Sequence, residues 1–309
     1  MSAATNTLVP LDDGDIAPAR ALRLAFSRFW STAEGQPRDI YDRFIAATPL
    51  APGVATREVH GEPDEPARGW WCEPAQARPG RALLYLHGGG YGLGHAGPYT
   101  GFVSQIAARA QMPAFALEYP LAPEAQVPVA RDLAVEALVR LADRFASVAV
   151  VGDSAGGGLS LATVLEARRR GIAVSAVAVF SPWTDLSLSG DSARELAVGD
   201  PLLDVGYLRV SAAAYLGDTP ARDPRASPLF DADLRLPPTL IQVGSDEVLR
   251  DDSRRFAEAA ARAGTVVQLQ EWQGMHHVFQ LNTEELASAR RALDQAAAFL
   301  DRASAPRAA

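Results

Sequence analysis

The sequence predicts an α/β fold, with one mostly parallel sheet of about eight strands covered by helices on both faces. Two observations predict it. Short runs rich in Val, Leu, Ile and Phe alternate with longer segments of helical period along most of the 309 residues, and strand–helix alternation builds parallel sheets. Two of the apolar runs also end in glycine-rich turns, His87-Gly88-Gly89-Gly90 and Gly152-Asp153-Ser154-Ala155-Gly156, where a strand gives way abruptly to the next segment. A chain of this length can bury one large core and still leave residues outside it.

The first strands are expected at residues 57–60 and 68–72. No long helix lies between them, so they form an antiparallel edge. Further strands are read at 81–86, 113–118, 148–151, 174–180, 239–243 and 266–270, with helices at 97–110, 129–145, 154–170, 253–263 and 284–301. Arg168-Arg169-Arg170 closes one of these helices, where positive charge suits the C-terminal end of the helix dipole. Two segments lie outside the alternation. Residues 18–48 read as two amphipathic helices with Leu22, Phe26, Phe29 and Trp30 on one face, and residues 186–226 read as a helical insertion containing Tyr207, Leu208 and Tyr215. Ordinary helix-face packing is the simpler reading of most of these aromatics. No repeat or low-complexity segment interrupts the pattern.

Composition excludes several classes of partner. The formal charge of −8 and the absence of a basic stripe argue against nucleic acid and anionic membrane surfaces. Every basic residue is an arginine, which is a bias of composition rather than a functional signal. A lone cysteine, Cys72, rules out an internal disulfide framework and is expected to pack. Residues 1–18 hold Asp12, Asp13 and Asp15 but no basic stretch leading into an apolar one, so they do not read as a secretory signal. No apolar run is long enough to span a membrane, and cytoplasmic residence is the default expectation.

The chemistry is concentrated in the two glycine turns. Gly152-Asp153-Ser154-Ala155-Gly156 sits between the apolar run Val148-Ala149-Val150-Val151 and the helical run Leu159-Ser160-Leu161-Ala162. Gly-x-Ser-x-Gly occurs by chance, but strand, tight turn and helix together are what a nucleophile elbow requires. The glycines admit a turn too tight for side chains, and Ser154 is held in a strained conformation with its hydroxyl at the top of the sheet. His87-Gly88-Gly89-Gly90 follows the strand Leu83-Leu84-Tyr85-Leu86 and leaves backbone N–H groups uncovered, able to face a developing negative charge. A phosphate-binding loop would need Gly-Lys-Ser/Thr, and the chain has no lysine.

A serine nucleophile needs a base oriented by a carboxylate. Of the five histidines, His60 lies in an early alternating segment, His87 belongs to the glycine loop and His95 sits just beyond it. Where a nucleophile elbow carries the serine, the base follows it in the chain, and only His276 and His277 follow Ser154, so one of the two is the expected base.

These motifs resemble those of the hormone-sensitive lipase-like esterases of the α/β-hydrolase superfamily. The resemblance rests on His87-Gly88-Gly89-Gly90, on Gly152-Asp153-Ser154-Ala155-Gly156-Gly157, and on Tyr119-Pro120-Leu121-Ala122-Pro123-Glu124. Ser181-Pro182-Trp183-Thr184-Asp185-Leu186, Asp223-Pro224 and Ser227-Pro228-Leu229 add to it. It implies an α/β-hydrolase core in two parts, residues 51–185 and 227–309, with a helical cap drawn from residues 1–50 and 186–226. Met275-His276-His277-Val278-Phe279 then places His277 as the base and His276 at a variable position. Aligning Leu249-Arg250-Asp251 puts Glu247 at the acid position, with Asp246 as the alternative. The oxyanion donors implied are the backbone N–H groups of Gly88, Gly89, Gly90 and Ala155. The activity implied is hydrolysis of short-chain carboxylic esters through an acyl-enzyme, with no metal or organic cofactor. An amidase or arylformamidase would use the same residues, and receptors built on this fold lack the histidine. The expected partner is a small-molecule ester, with a homodimer as the one assembly left open.

Overall fold

The computed structural model describes residues 4–195 and 199–305. Its nine strands are β1 Thr5–Val9, β2 Val54–His60, β3 Arg68–Pro74, β4 Arg81–Leu86, β5 Ala114–Leu117, β6 Ser147–Asp153, β7 Val177–Phe180, β8 Thr239–Gly244 and β9 Val267–Trp272. They form one sheet in the order β1-β9-β8-β7-β6-β4-β5-β3-β2. β2 and β3 are antiparallel to each other, and β3 is antiparallel to β5. All other pairs are parallel, with Leu84 of β4 opposite Val150 of β6 at the centre. Every residue of β5, β7 and β8 is buried. That explains the unbroken apolar runs of β5 and β7, because a strand covered on both faces has no solvent side to alternate with.

The helices are α1 Ile16–Thr32, α2 Pro37–Ile45, α3 Thr100–Ala110, α4 Val129–Arg144, α5 Ser154–Arg169, α6 Ser192–Glu195, α7 Val205–Leu216, α8 Arg250–Arg262 and α9 Ala287–Ala303. One face of the sheet packs against α3 and α9 through Phe102, Leu293 and Leu300. The other packs against α4, α5 and α8 through Leu138, Leu161 and Phe256. Cys72 is buried, its thiol pushed up to about 12 by burial. Among the described residues no helix is long and apolar enough to cross a membrane.

The sheet has one strand more than the sequence pattern suggests. β1 is almost wholly exposed, so it carries no apolar alternation. It holds its place through the backbone register Thr5↔Gln268 to Val9↔Trp272. Helix ends shift by a few residues: α8 starts at Arg250 rather than 253, and α9 at Ala287 rather than 284.

One buried carboxylate fastens the two ends of the chain together. Asp15 Oδ1 accepts the Ala287 N–H at 2.8 Å, and Oδ2 accepts the Ser288 N–H at 2.7 Å. It thereby satisfies two of the donors that a helix start leaves unpaired. Leu22 and Phe26 of α1 then pack with Trp272, Met275 and Phe279. Asp15→Ala orphans both N–H groups and should lower stability by about 1–3 kcal/mol. Urea unfolding followed by circular dichroism measures this, and an unchanged midpoint would refute the fastening role.

Candidate active site

At the end of β6 the chain turns into α5 within a single residue. Ser154 has φ +52°, in the left-handed region, at a strain on the order of 1–3 kcal/mol for a residue with a Cβ. Its glycine neighbours are required by contact. A Cβ at Gly152 would collide with Ser160 Oγ and the Gly156 carbonyl, and one at Gly156 with the Leu86 and His87 carbonyls. The turn is held from outside by the Trp183 N–H, which donates to Ser154 O at 2.9 Å.

Ser154 Oγ lies 2.9 Å from His277 Nε2, and His277 Nδ1 lies 2.6 Å from Glu247 Oε2. All three residues are buried. Glu247 lies three residues beyond the end of β8 and is braced by the Gly244 N–H, which donates to its Oε1 at 3.1 Å. The adjacent carboxylate points elsewhere. Asp246 Oδ2 accepts from Arg23 of α1 at 2.8 Å, and its Oδ1 accepts from Ser245 Oγ at 2.7 Å. His276 also turns away. Its Nε2 meets Asn282 Oδ1 at 3.0 Å and its ring sits edge-on to Phe26 at 5.0 Å. Burial pulls its pKa down to about 3, so it stays neutral.

Opposing influences act on His277. Burial, the largest, disfavours the imidazolium. The hydrogen bond and charge of Glu247, helped by the charges of Asp200 and Asp153, outweigh it and leave the pKa above its ordinary 6.5. Glu247 itself is lifted by burial against the pull of His277 and Ser181.

The glycine loop divides differently from the sequence expectation. Gly88 does not offer its N–H to the cleft, because that group donates to Asp153 Oδ1 at 2.9 Å. A backbone donor committed to a buried carboxylate cannot also receive an oxyanion. Gly89 and Gly90 do face the cleft, with φ of +110° and +61°. Among the described residues, the N–H groups of Gly89, Gly90 and Ala155 are given to no protein acceptor. A Cβ at Gly89 would collide with the Leu93 carbonyl.

Asp153 is a residue that motif reading misses, since the pattern treats it as any residue between Gly and Ser. Its carboxylate also accepts from the Tyr85 and Tyr99 hydroxyls, and Tyr99 is joined to Tyr41 of α2 at 2.8 Å. Burial raises the Asp153 pKa to about 6. His87 is a structural member of the loop, as its place in the sequence suggests. Its ring stacks on Tyr119 at 4.2 Å, its carbonyl accepts the Tyr119 hydroxyl at 2.6 Å, and burial lowers its pKa to about 4.

The hydroxyl of Ser154 opens into an apolar cleft of about 180 Å³. Trp30, Tyr41 and Phe44 wall it from α1 and α2, Leu202, Leu203, Tyr207 and Leu208 from the segment around α7, and Val278 and Leu281 from the segment after His277. Tyr215 does not reach it, and stacks on Tyr91 at 3.9 Å instead.

A family described as alpha/beta hydrolase fold matches residues 83–281. A crystal structure of an esterase from the bacterial hormone-sensitive lipase (HSL) family superposes with a TM-score of 0.86 at 31% identity, covering 94% of this chain and 99% of that one. The chain belongs to the hormone-sensitive lipase-like α/β-hydrolases. An acetyl-hydrolase of Streptomyces hygroscopicus is 39% identical across 88% of this chain and 92% of its own length. An ethyl acetate hydrolase of Pseudomonas putida is 34% identical across 73% of this chain and 74% of its own.

In this α/β-hydrolase a proton leaving Ser154 can pass to His277 Nε2 while the Nδ1–H remains on Glu247. Replacing the paired acid by its amide removes the charge facing the imidazolium and permits the wrong tautomer, a change that costs about 10⁴ in kcat in a serine protease. Glu247→Gln should therefore lose at least about 100-fold in kcat, with Asp246→Asn within about tenfold of wild type. The reverse ranking would make Asp246 the acid. The pH profile gives a second check. Only the neutral imidazole accepts the proton, so kcat/KM rises with pH through the raised pKa, with its midpoint above 6.5. A midpoint below 6.5 would show that burial, not the carboxylates, dominates at His277.

Proposed function

We propose that this chain is a serine carboxylesterase that hydrolyses short-chain esters through an acyl-enzyme on Ser154. The observation that carries the reading is the unbroken contact from Ser154 Oγ through His277 to Glu247, facing a small apolar cleft. Ser154 Oγ attacks the ester carbonyl as its proton moves to His277 Nε2. The oxyanion is held by the N–H groups of Gly89, Gly90 and Ala155. Collapse expels the alcohol, which takes the proton from His277, and leaves Ser154 acylated. A water then gives a proton to His277 and attacks the acyl carbonyl, and a second collapse releases the carboxylic acid and restores the Ser154 hydroxyl.

Small acyl groups suit this site, because the aromatic walls leave only about 180 Å³ beside Ser154. Relatives named acetyl-hydrolase and ethyl acetate hydrolase point the same way. Residues 1–50 and 186–226 act as the cap in this reading, since Trp30, Tyr41, Phe44 and Tyr207 come from them. The enzyme acts in the cytoplasm, as a monomer or a homodimer, on esters dissolved in water.

Ser154→Ala should lower kcat by about 10⁴ to 10⁶ with the fold intact. On a nitrophenyl ester series, wild-type rates on acetyl to hexanoyl esters should exceed those on dodecanoyl, because each methylene helps by ~0.8 kcal/mol only while the cleft has room. Wild-type activity in Ser154→Ala would remove the serine mechanism. Faster cleavage of matched amides than of esters would make the chain an amidase.

A further inference from the structure

A second cavity of about 280 Å³ lies beside the Ser154 cleft. The two share four wall residues: Phe44, Leu202, Val278 and Leu281. Beyond that wall the second cavity is lined by Leu22, Ala25, Phe26 and Phe29 of α1, and the exposed Arg43, Glu284 and Glu285 also border it. Thr48 and Asn282 add polar atoms to its wall, but the run of apolar α1 side chains next to the shared wall suits an alkyl chain.

Phe44 stands at the centre of this wall. Its ring lies 5.3 Å from Trp30, which lines the cleft, and 5.5 Å from both Phe26 and Phe29, which line the second cavity. It also packs against two separate apolar clusters, one around α3 and α9 and the other around α1. The other shared residues have further duties. Val278 and Leu281 continue the segment that carries His277. Leu202 follows Asp200, whose Oδ2 accepts the Val248 N–H at 3.1 Å beside Glu247. Phe44 sits at the end of α2, and no hydrogen bond ties it to the serine, the histidine or the acid.

We propose that Phe44 is the partition that sets the length of substrate the enzyme accepts, and that the cavity behind it is a dormant extension of the site for the alkyl chain of a longer ester. The proposal rests on the esterase reading above. With the ring in place the chain stops within the cleft. With a smaller side chain the cleft and the second cavity become continuous, and methylenes that had to remain in water enter an apolar chamber. Each methylene so buried raises kcat/KM by up to about fourfold.

The test is the rate profile of Phe44→Ala, Phe44→Leu and Phe44→Trp on two series. In one the acyl group runs from acetate to dodecanoate on a fixed nitrophenyl alcohol; in the other an acetyl group is fixed and the alcohol runs from ethyl to decyl. Labelling of Ser154 by a small organophosphonate counts the competent sites in each preparation, and thermal unfolding checks the fold. In Phe44→Ala the ratio of longest to shortest substrate should rise at least about tenfold in one series, given three or more newly buried methylenes. Phe44→Leu should show a smaller rise and Phe44→Trp an earlier cut-off. The series that responds identifies the acyl or the alcohol chain as the occupant. Folded, labelled variants with the wild-type profile in both series overturn the proposal while leaving the esterase reading intact, as does a Phe44→Trp cut-off unchanged from wild type where Phe44→Ala does not fold. A wild-type enzyme that cleaves no ester overturns both.

Discussion

The turn from β6 into α5 governs the rest of the site. Putting a serine at φ +52° brings its hydroxyl above the sheet and requires that nothing bulkier than hydrogen stand at Gly152 or Gly156. The strain is held by what surrounds it: a parallel strand buried from Val148 onward on one side, a buried helix start on the other, and the Trp183 N–H on the Ser154 carbonyl. An isolated peptide would relax out of this conformation. The core on both faces of the sheet therefore serves the chemistry directly, because its rigidity keeps one backbone angle in an unfavourable region.

Asp153, immediately before the serine, carries that rigidity into the glycine loop. Its carboxylate accepts from the Gly88 N–H and from the hydroxyls of Tyr85 and Tyr99. One glycine is thus spent on anchorage, which leaves Gly89 and Gly90 facing the cleft in left-handed conformations. Through Tyr99 the same carboxylate is linked to Tyr41 on α2, a helix that also walls the cleft. Asp153, the glycine loop and α2 are held by one hydrogen-bonded cluster, in which a lost member would leave an unsatisfied polar group in low dielectric.

Much of this architecture was legible in the sequence where its cause is local. Glycines that must be glycine for steric reasons and apolar runs that must be apolar because both faces are covered are marked by residue type. Where the cause is tertiary the sequence is silent. β1 is held by backbone bonds to β9 and exposes most of its side chains, so no alternation marks it. The assignment of Gly88 to the oxyanion donors fails because the motif records three glycines but not the acceptor that claims the first of them. Asp153 hides for the same reason, occupying a position that the pattern leaves free. Tyr207 faces the serine cleft, whereas Tyr215 eight residues on packs against Tyr91. Nothing in the sequence distinguishes them, because which side α7 shows to the cleft is set by its contacts with the core.

The charges around His277 pose the sharpest constraint on the proposed mechanism. Carboxylates that stabilise an imidazolium in the transition state also favour it in the resting enzyme, where a protonated base is useless. Glu247, Asp200 and Asp153 all push in that direction. Three features oppose them. Burial of the histidine is the largest single influence on it and penalises its charged form. Burial also raises Asp153 towards neutrality, to about 6, so its charge fades as the pH falls through that value. The remaining nearby acid, Asp246, is turned away and paired with Arg23, so its charge is compensated before it can add to the others. The adjacent pair Asp246-Glu247 therefore divides its work. One carboxylate meets the His277 ring, and the other fastens α1 to the loop that carries Glu247. Glu247 reaches His277 from the loop after β8 while Asp246 remains at the surface.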